Sequence, residues 1–167
     1  MILKKGDEEL KKKNYEAAIR LFNRALNLAP QLTAIHFRLG KAHDEFSATF
    51  VGEDDESFKN FNLMQAASYY LIVGMLEKTD LEKAFEAKDR CGQIYEGTES
   101  YGNAIRCLDL AIKQKPNDAN LYARRGYASF KVNDNDMAAE DFKKAIQLAP
   151  KDSTIYFKQA IMLQEKQ

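Results

Sequence analysis

Apolar residues along this chain recur at intervals of three and four, the period of an amphipathic helix, in blocks that break where Gly, Pro, Asn and Asp cluster. Three of the blocks share one pattern. Asn14–Pro30 (NYEAAIRLFNRALNLAP), Ser100–Pro116 (SYGNAIRCLDLAIKQKP) and Asn135–Pro150 (NDMAAEDFKKAIQLAP) align without a gap over their last thirteen positions. Each carries an Ala, then a bulky apolar residue, a second Ala and a Pro: Ala18, Phe22, Ala25, Pro30; Ala104, Leu108, Ala111, Pro116; Ala138, Phe142, Ala145, Pro150. The spacing predicts a helix with a small-residue stripe against a neighbour and one large knob between the alanines. Proline ends it, because the ring lacks an N–H and disfavours helix for the residue before it.

Glycine marks a second helix upstream of each block. Gly6, Gly40, Gly92 and Gly126 stand in matching places, with Ala160 in the fifth, at steps of 34, 52, 34 and 34 residues. The chain is therefore read as helix pairs, with small residues where paired helices cross and polar turns inside the pairs at Lys12–Asn14, Glu96–Ser100 and Val132–Asp136. A fixed period of this length decides architecture before any other feature is weighed. The pattern resembles the tetratricopeptide repeat (TPR), whose mark is a small residue on a first helix, A-x3-F on a second, then proline. The resemblance covers essentially the whole chain; the second copy (Ala66, Tyr70, Val73) matches weakly and lacks the proline. It implies an all-α fold, a right-handed α-solenoid of antiparallel helix pairs. The expected units are about 1–32, 33–84, 85–118 and 119–152 in a single domain, followed by a capping helix over 153–167 built on Ile155, Tyr156, Ile161 and Leu163.

The second unit carries 18 extra residues, 14 of them between Gly40 and Ala66. Phe46 and Phe50 are expected to continue the first helix, VGEDDES (Val51–Ser57) to break it, and Phe58 and Phe61 to open the second. The result is a protruding hairpin over residues 47–63 with aromatic flanks and an acidic tip at Asp54 and Asp55. Exposed aromatics are costly without a partner, so Phe46, Phe50, Asp54, Asp55, Phe58 and Phe61 form one candidate interaction surface.

Charge and chemistry narrow the function. Twenty-five basic and 25 acidic residues leave no net charge, which removes the electrostatic footprint of a nucleic-acid binder. No apolar run is long enough for a signal peptide or a membrane span. Cys91 and Cys107 sit at helical positions and are read as a reduced pair, and the localisation as cytoplasmic. His36 and His43 lie on one helical face, but they replace aromatic core residues of the repeat and lack the further ligands of a metal site. There is no phosphate-cradling glycine cluster, calcium loop or nucleophile motif. No enzyme and no cofactor are expected.

A basic column runs beside the glycines. Two residues before each stand Lys4, Arg38, Arg90, Arg124 and, before Ala160, Lys158. The resemblance implies that this slot faces a concave groove. There Arg38, Lys41, Arg90, Arg124 and Lys158, with Phe37, Tyr127 and Phe157 as anchors, would take an acidic or C-terminal peptide of a partner protein. Asp7, Asp44, Glu86 and Asp89 stand close enough to offset the column. The carboxylate-gripping pattern of co-chaperone TPR domains is not reproduced: its slots hold Leu3, Asp7, Arg38, Glu86 and Arg90, and only Arg90 agrees. The expected function is a peptide-binding adaptor or co-chaperone-like scaffold. The alternatives are an assembly scaffold acting through the hairpin and a regulatory fragment of a larger protein.

Overall fold

The computed structural model describes residues 1–164, with the side chains of Glu53 and Leu163 left aside. Among these residues all regular structure is helical. The chain divides into two compact units, Met1–Ile94 and Tyr95–Gln167. The first holds α1 (Ile2–Lys11), α2 (Tyr15–Leu28), α3 (Thr33–Ser47), α4 (Glu56–Leu76) and most of α5 (Leu81–Gly97). The second holds α6 (Tyr101–Gln114), α7 (Ala119–Lys131), α8 (Asn135–Leu148) and α9 (Ser153–Gln164). Positions 165–167 of the expected capping helix lie outside the described residues.

In the first unit α1 packs on α2, α2 on α3 and α3 on α4. Ala18, Phe22 and Ala25 of α2 meet Ile35, Leu39 and Ala42 of α3 in one buried cluster. Gly6 is where α1 crosses α2: a Cβ there would stand 2.4 Å from Cε1 of Phe22. In the second unit Ala138, Phe142 and Ala145 of α8 pack with Ala123 of α7 and with Ile155 and Met162 of α9. Helix α9 thus covers α7 and α8 with Ile155 and Met162, while Tyr156, Phe157 and Ala160 stay exposed.

The turns inside three pairs use one device. After α1, the Lys13 N–H donates to Leu10 O and the Asn14 N–H to Glu9 O, at 2.9 Å each. The same crossed bonds join Glu99 to Glu96 and Ser100 to Tyr95, and Asn133 to Phe130 and Asp134 to Ser129. This is the Schellman closure, which needs a left-handed residue just past the helix. Lys13, Glu99 and Asn133 supply it, with φ of 61°, 54° and 64°. The second pair lacks the closure. There the Ser47 hydroxyl donates to Asp44 O and the Thr49 hydroxyl to Phe46 O, competing with continued helix. Helix α3 therefore ends at Ser47, and Phe50 lies outside it, not in a continued first helix as its spacing predicts. A short 3₁₀ turn at Glu53–Asp55 leads into α4, which at 21 residues is half as long again as the 14-residue α2. The extra length is thus shared between a longer α4 and the connection before it, which runs over residues 48–55 where the first pair has only residues 12–14.

Where α2, α6 and α8 end, the residue before proline is extended (Ala29 ψ 70°, Lys115 ψ 75°, Ala149 ψ 72°), as the ring demands. One ring then reaches back to each proline carbonyl. His36 Nε2–H donates to Pro30 O at 2.8 Å, and the hydroxyls of Tyr122 and Tyr156 donate to Pro116 O and Pro150 O at 3.1 Å. His36 thus does the work of the tyrosine found in its repeat slot. Cys91 and Cys107 are buried and neither is a free thiol, which corrects the reading of a reduced pair and removes that support for a cytoplasmic location.

Candidate functional site

The basic column forms, but its cations face carboxylates of the preceding repeat. Arg38 on α3 grips Asp7 on α1 with Nε and Nη2, at 2.7 and 3.2 Å. Arg90 on α5 grips Asp44 on α3 in the same way at 2.6 and 2.7 Å, and this bond holds its guanidinium more firmly protonated. In the second unit Arg124, 6% exposed, pairs with Glu96 at 2.7 Å. Bidentate pairs of this kind are the strong ones, and a ligand carboxylate would have to displace them. Asp7 and Asp44 stood among the expected neutralising residues; Glu96 did not. Its signal was present: Asp44 and Glu96 each stand four residues after a repeat glycine, facing the arginine of the next repeat.

The other groove candidates divide. Lys41 is exposed and 3.7 Å from Glu45. Lys158 is half-buried, and that burial lowers its pKa, with Glu96 opposing and Arg124 adding. Phe37 packs edge-on against Tyr70 at 5.8 Å, and Tyr127 against Tyr101 at 6.2 Å, so both are largely committed to neighbours. Phe157 is 68% exposed. Arg125, absent from the expected set, bridges Asp109 and the buried Asp141 and ties α6, α7 and α8 together.

The insertion builds a second candidate surface. Rings run in file from Tyr15 to Phe46 (5.6 Å), Phe46 to Phe50 (5.0 Å) and Phe50 to Phe58 (6.1 Å). Phe46, Phe50 and Phe58, together with Ile19 and Phe61, line a cleft of about 940 Å³ between α2 and the start of α4. Phe58 and Phe61 are 63% and 59% exposed. Glu16, Arg20 and Asp55 are its charged members; Asp54 lies exposed beside Asp55. The floor is pinned by a polar relay: His43 Nδ1–H donates to Asn62 Oδ1 at 2.8 Å, and Asn62 Nδ2 donates to Phe58 O at 2.9 Å. Burial lowers the pKa of His43, with the bond to Asn62 opposing, and so favours the neutral ring. Among the described residues no group of three or more His, Cys, Asp or Glu is placed to hold a metal ion. No described helix is long and apolar enough to cross a membrane.

Helix pairs repeating at this period, closed by the same turns and crossed at the same small residues, define an α-solenoid of TPR type. Family models agree: a TPR repeat model matches residues 6–45, and tetratricopeptide repeat models match 85–118 and 119–152. The chain belongs to the tetratricopeptide repeat family, whose fold is a protein-interaction scaffold. It is 33% identical over 78 residues, 47% of this chain, to the Protein STIP1 homolog of Dictyostelium discoideum, and spans only 14% of that protein's length. Among solved structures it resembles MamA (residue 41 to the end) from Desulfovibrio magneticus RS-1, with a TM-score of 0.65 at 18% identity, covering 99% of this chain and 83% of the other. It also resembles a chain of the APC/C hetero-tetramer Cut9–Hcn1, with a TM-score of 0.55 at 14% identity, covering 97% and 29%. At these identities the two structures speak for the fold alone.

Proposed function

We propose that this protein is a non-catalytic interaction module whose principal partner surface is the aromatic cleft of the insertion. The observation that carries this reading is the exposure of Phe58 and Phe61 above a cleft already lined by Ile19, Phe46 and Phe50. A helix spends two exposed phenylalanines in one cleft at a cost in solubility that a partner offsets. The occupant is a partner protein's amphipathic segment: apolar side chains for the cleft, and basic flanks for Glu16, Asp54 and Asp55. The arginine column is the rival surface, and its three ion pairs weigh against it.

The test is selection from a displayed library of amphipathic peptides, followed by calorimetric titration of the winners. Wild-type protein is expected to select segments with large apolar anchors and basic flanks, and Phe58→Glu/Phe61→Glu to lose them at least tenfold, with helix content unchanged. Winners that bind the double variant normally but are lost on Arg38→Glu/Arg90→Glu would transfer the role to the column.

A further inference from the structure

Helix α4 differs on its outer face from the other second helices of the pairs. Aligned on Ala18, Ala66 and Ala138, the same three outward slots hold Asn23, Arg24 and Asn27 in α2 and Lys143, Lys144 and Gln147 in α8. In α6 a single leucine, Leu110, stands between Asp109 and Lys113. In α4 those slots hold Leu71, Ile72 and Met75, and no charged residue lies between Lys59 and Glu77. A helix that is apolar on every side belongs in a core or against a partner.

The core takes only one side of it. Ala66, Tyr70 and Val73 are buried. With about 3.6 residues per turn, the opposite side runs Phe61, Gln65, Ser68, Ile72 and Met75. Steps of four and three in alternation make a coiled-coil seam, about 21 Å long at about 1.5 Å per residue. Phe61 and Met75 are 59% and 56% exposed, Ser68 is exposed, and Gln65 and Ile72 are partly so.

The seam complements itself when a second copy runs antiparallel, about a two-fold axis between Ala66 and Ala67. Phe61 then meets Ile72 of the second copy, Phe58 meets Met75, and Gln65 meets Ser68 at the centre. Each contact occurs twice, as an isologous interface requires. The polar pair is matched: the Ser68 hydroxyl donates to Met64 O at 2.9 Å, and its oxygen can accept from the Gln65 amide. The same register sets Lys78, exposed just past α4, opposite the acidic turn of Asp54, Asp55 and Glu56. Glu77 is turned back onto Thr33 and Thr79 of its own chain and does not oppose that turn. A parallel copy would set the acidic turns against each other, so charge selects the antiparallel arrangement.

We propose that α4 pairs antiparallel with α4 of a second copy of this chain through this seam. The proposal rests on the reading of Phe58 and Phe61 as a partner surface and names the partner. The amphipathic segment is the C-terminal half of the other α4, with Ile72 and Met75 as anchors and Lys78 as the basic flank. A seam one helix wide buries less than a standard interface of about 1,600 Å², so the dissociation constant is on the order of 10 μM.

The experiment is sedimentation velocity of the full chain from about 1 to about 300 μM, with helix content followed by circular dichroism. Wild type is expected to pass from monomer to dimer over that range. Met75→Glu, at an exposed site, and Ile72→Glu should each raise the dissociation constant at least tenfold with helix content unchanged. At low salt, Lys78→Glu and Asp55→Lys should each weaken the dimer about fivefold. Asp55→Lys/Lys78→Glu should recover most of that loss, because the exchanged charges again face each other across the two-fold. Met75 lies outside the aromatic cleft, so peptides selected on that cleft should bind Met75→Glu as tightly as monomeric wild type. A wild type that stays monomeric to about 300 μM yet takes those peptides overturns the second copy as partner and leaves the cleft reading standing. A monomer that takes no peptide overturns both. A dimer that survives Met75→Glu and Ile72→Glu, or a charge swap that deepens the loss, overturns the seam.

Discussion

Replacing Gly6 by alanine tests whether the repeat glycine is there for space. An ideal Cβ at Gly6 would lie 2.4, 2.8 and 3.0 Å from Cε1, Cδ1 and Cζ of Phe22, whereas ordinary contact begins at 3.4 Å. The ring must therefore retreat by about 1 Å, the difference between the first and last of those distances. It has little room to do so, being 0% exposed and packed among Ala18, Ala25, Ile35 and Leu39. Overpacking of that kind costs about 1–3 kcal/mol, and the severity of the clash places Gly6→Ala toward the upper end. Alanine returns about 1 kcal/mol in helix propensity. The net loss expected is about 1–2 kcal/mol.

Two controls make the figure diagnostic. Gly40→Ala meets the Tyr70 ring at 3.0 Å and should be close to neutral; Gly102→Ala meets nothing within 4 Å and should be neutral to stabilising. The assay is urea unfolding followed by circular dichroism at 222 nm, comparing midpoints at matched slopes. Phe22→Leu removes the ring atoms that clash, so Gly6→Ala on that background should cost markedly less than on the wild type. A Gly6→Ala midpoint at or above that of wild type, or strict additivity with Phe22→Leu, would refute the reasoning.

Two further outcomes follow from local geometry. Lys13→Gly and Glu99→Gly relieve left-handed backbone at residues with a Cβ and should each stabilise by about 0.5–1 kcal/mol. Asn133→Gly should gain less, since Asn tolerates that region, and thermal unfolding of the three variants checks the order. Glu77 is held at a pKa of about 2, below its ordinary 4.5, first by the Thr33 hydroxyl and then by Thr79 and Asp80. Because the folded-state pKa is the lower one, its contribution is complete above about pH 4.5 and is lost as pH falls toward 2. The stability gap between wild type and Glu77→Gln should therefore be open at pH 7 and closed near pH 2, as read by unfolding midpoints; a gap independent of pH would contradict it.

The helix pairs were legible because the cause of the pairing is itself repeated: Ala18, Phe22 and Ala25 recur as Ala138, Phe142 and Ala145, and the matching large residue is buried each time. The aromatic file of the insertion was legible as composition, since Phe46, Phe50, Phe58 and Phe61 have few other uses at such density. How the extra residues would divide between helix and connection was not, because the end of α3 depends on the hydroxyls of Ser47 and Thr49 reaching back to carbonyls. The basic column was legible as a row of charges and illegible as a surface. Its state depends on Asp7, Asp44 and Glu96, which lie a whole repeat earlier and face the column only after folding.

The ring-to-proline bonds also set how the chain would bear a load. Pulled from its ends, the chain would carry the load through the links where one pair hands over to the next. At Pro30, Pro116 and Pro150 that joint is spanned by an imidazole or phenol hydrogen bond. The joint between α4 and α5 has no proline; there the Glu77 carboxylate accepts from the Thr33 hydroxyl and from the N–H groups of Thr79 and Asp80. Three joints are thus fastened by a ring that donates to a carbonyl, and the fourth by an anion. Only strong acid, near pH 2, would protonate that anion and loosen this one hinge, next to the pair that carries the proposed aromatic cleft.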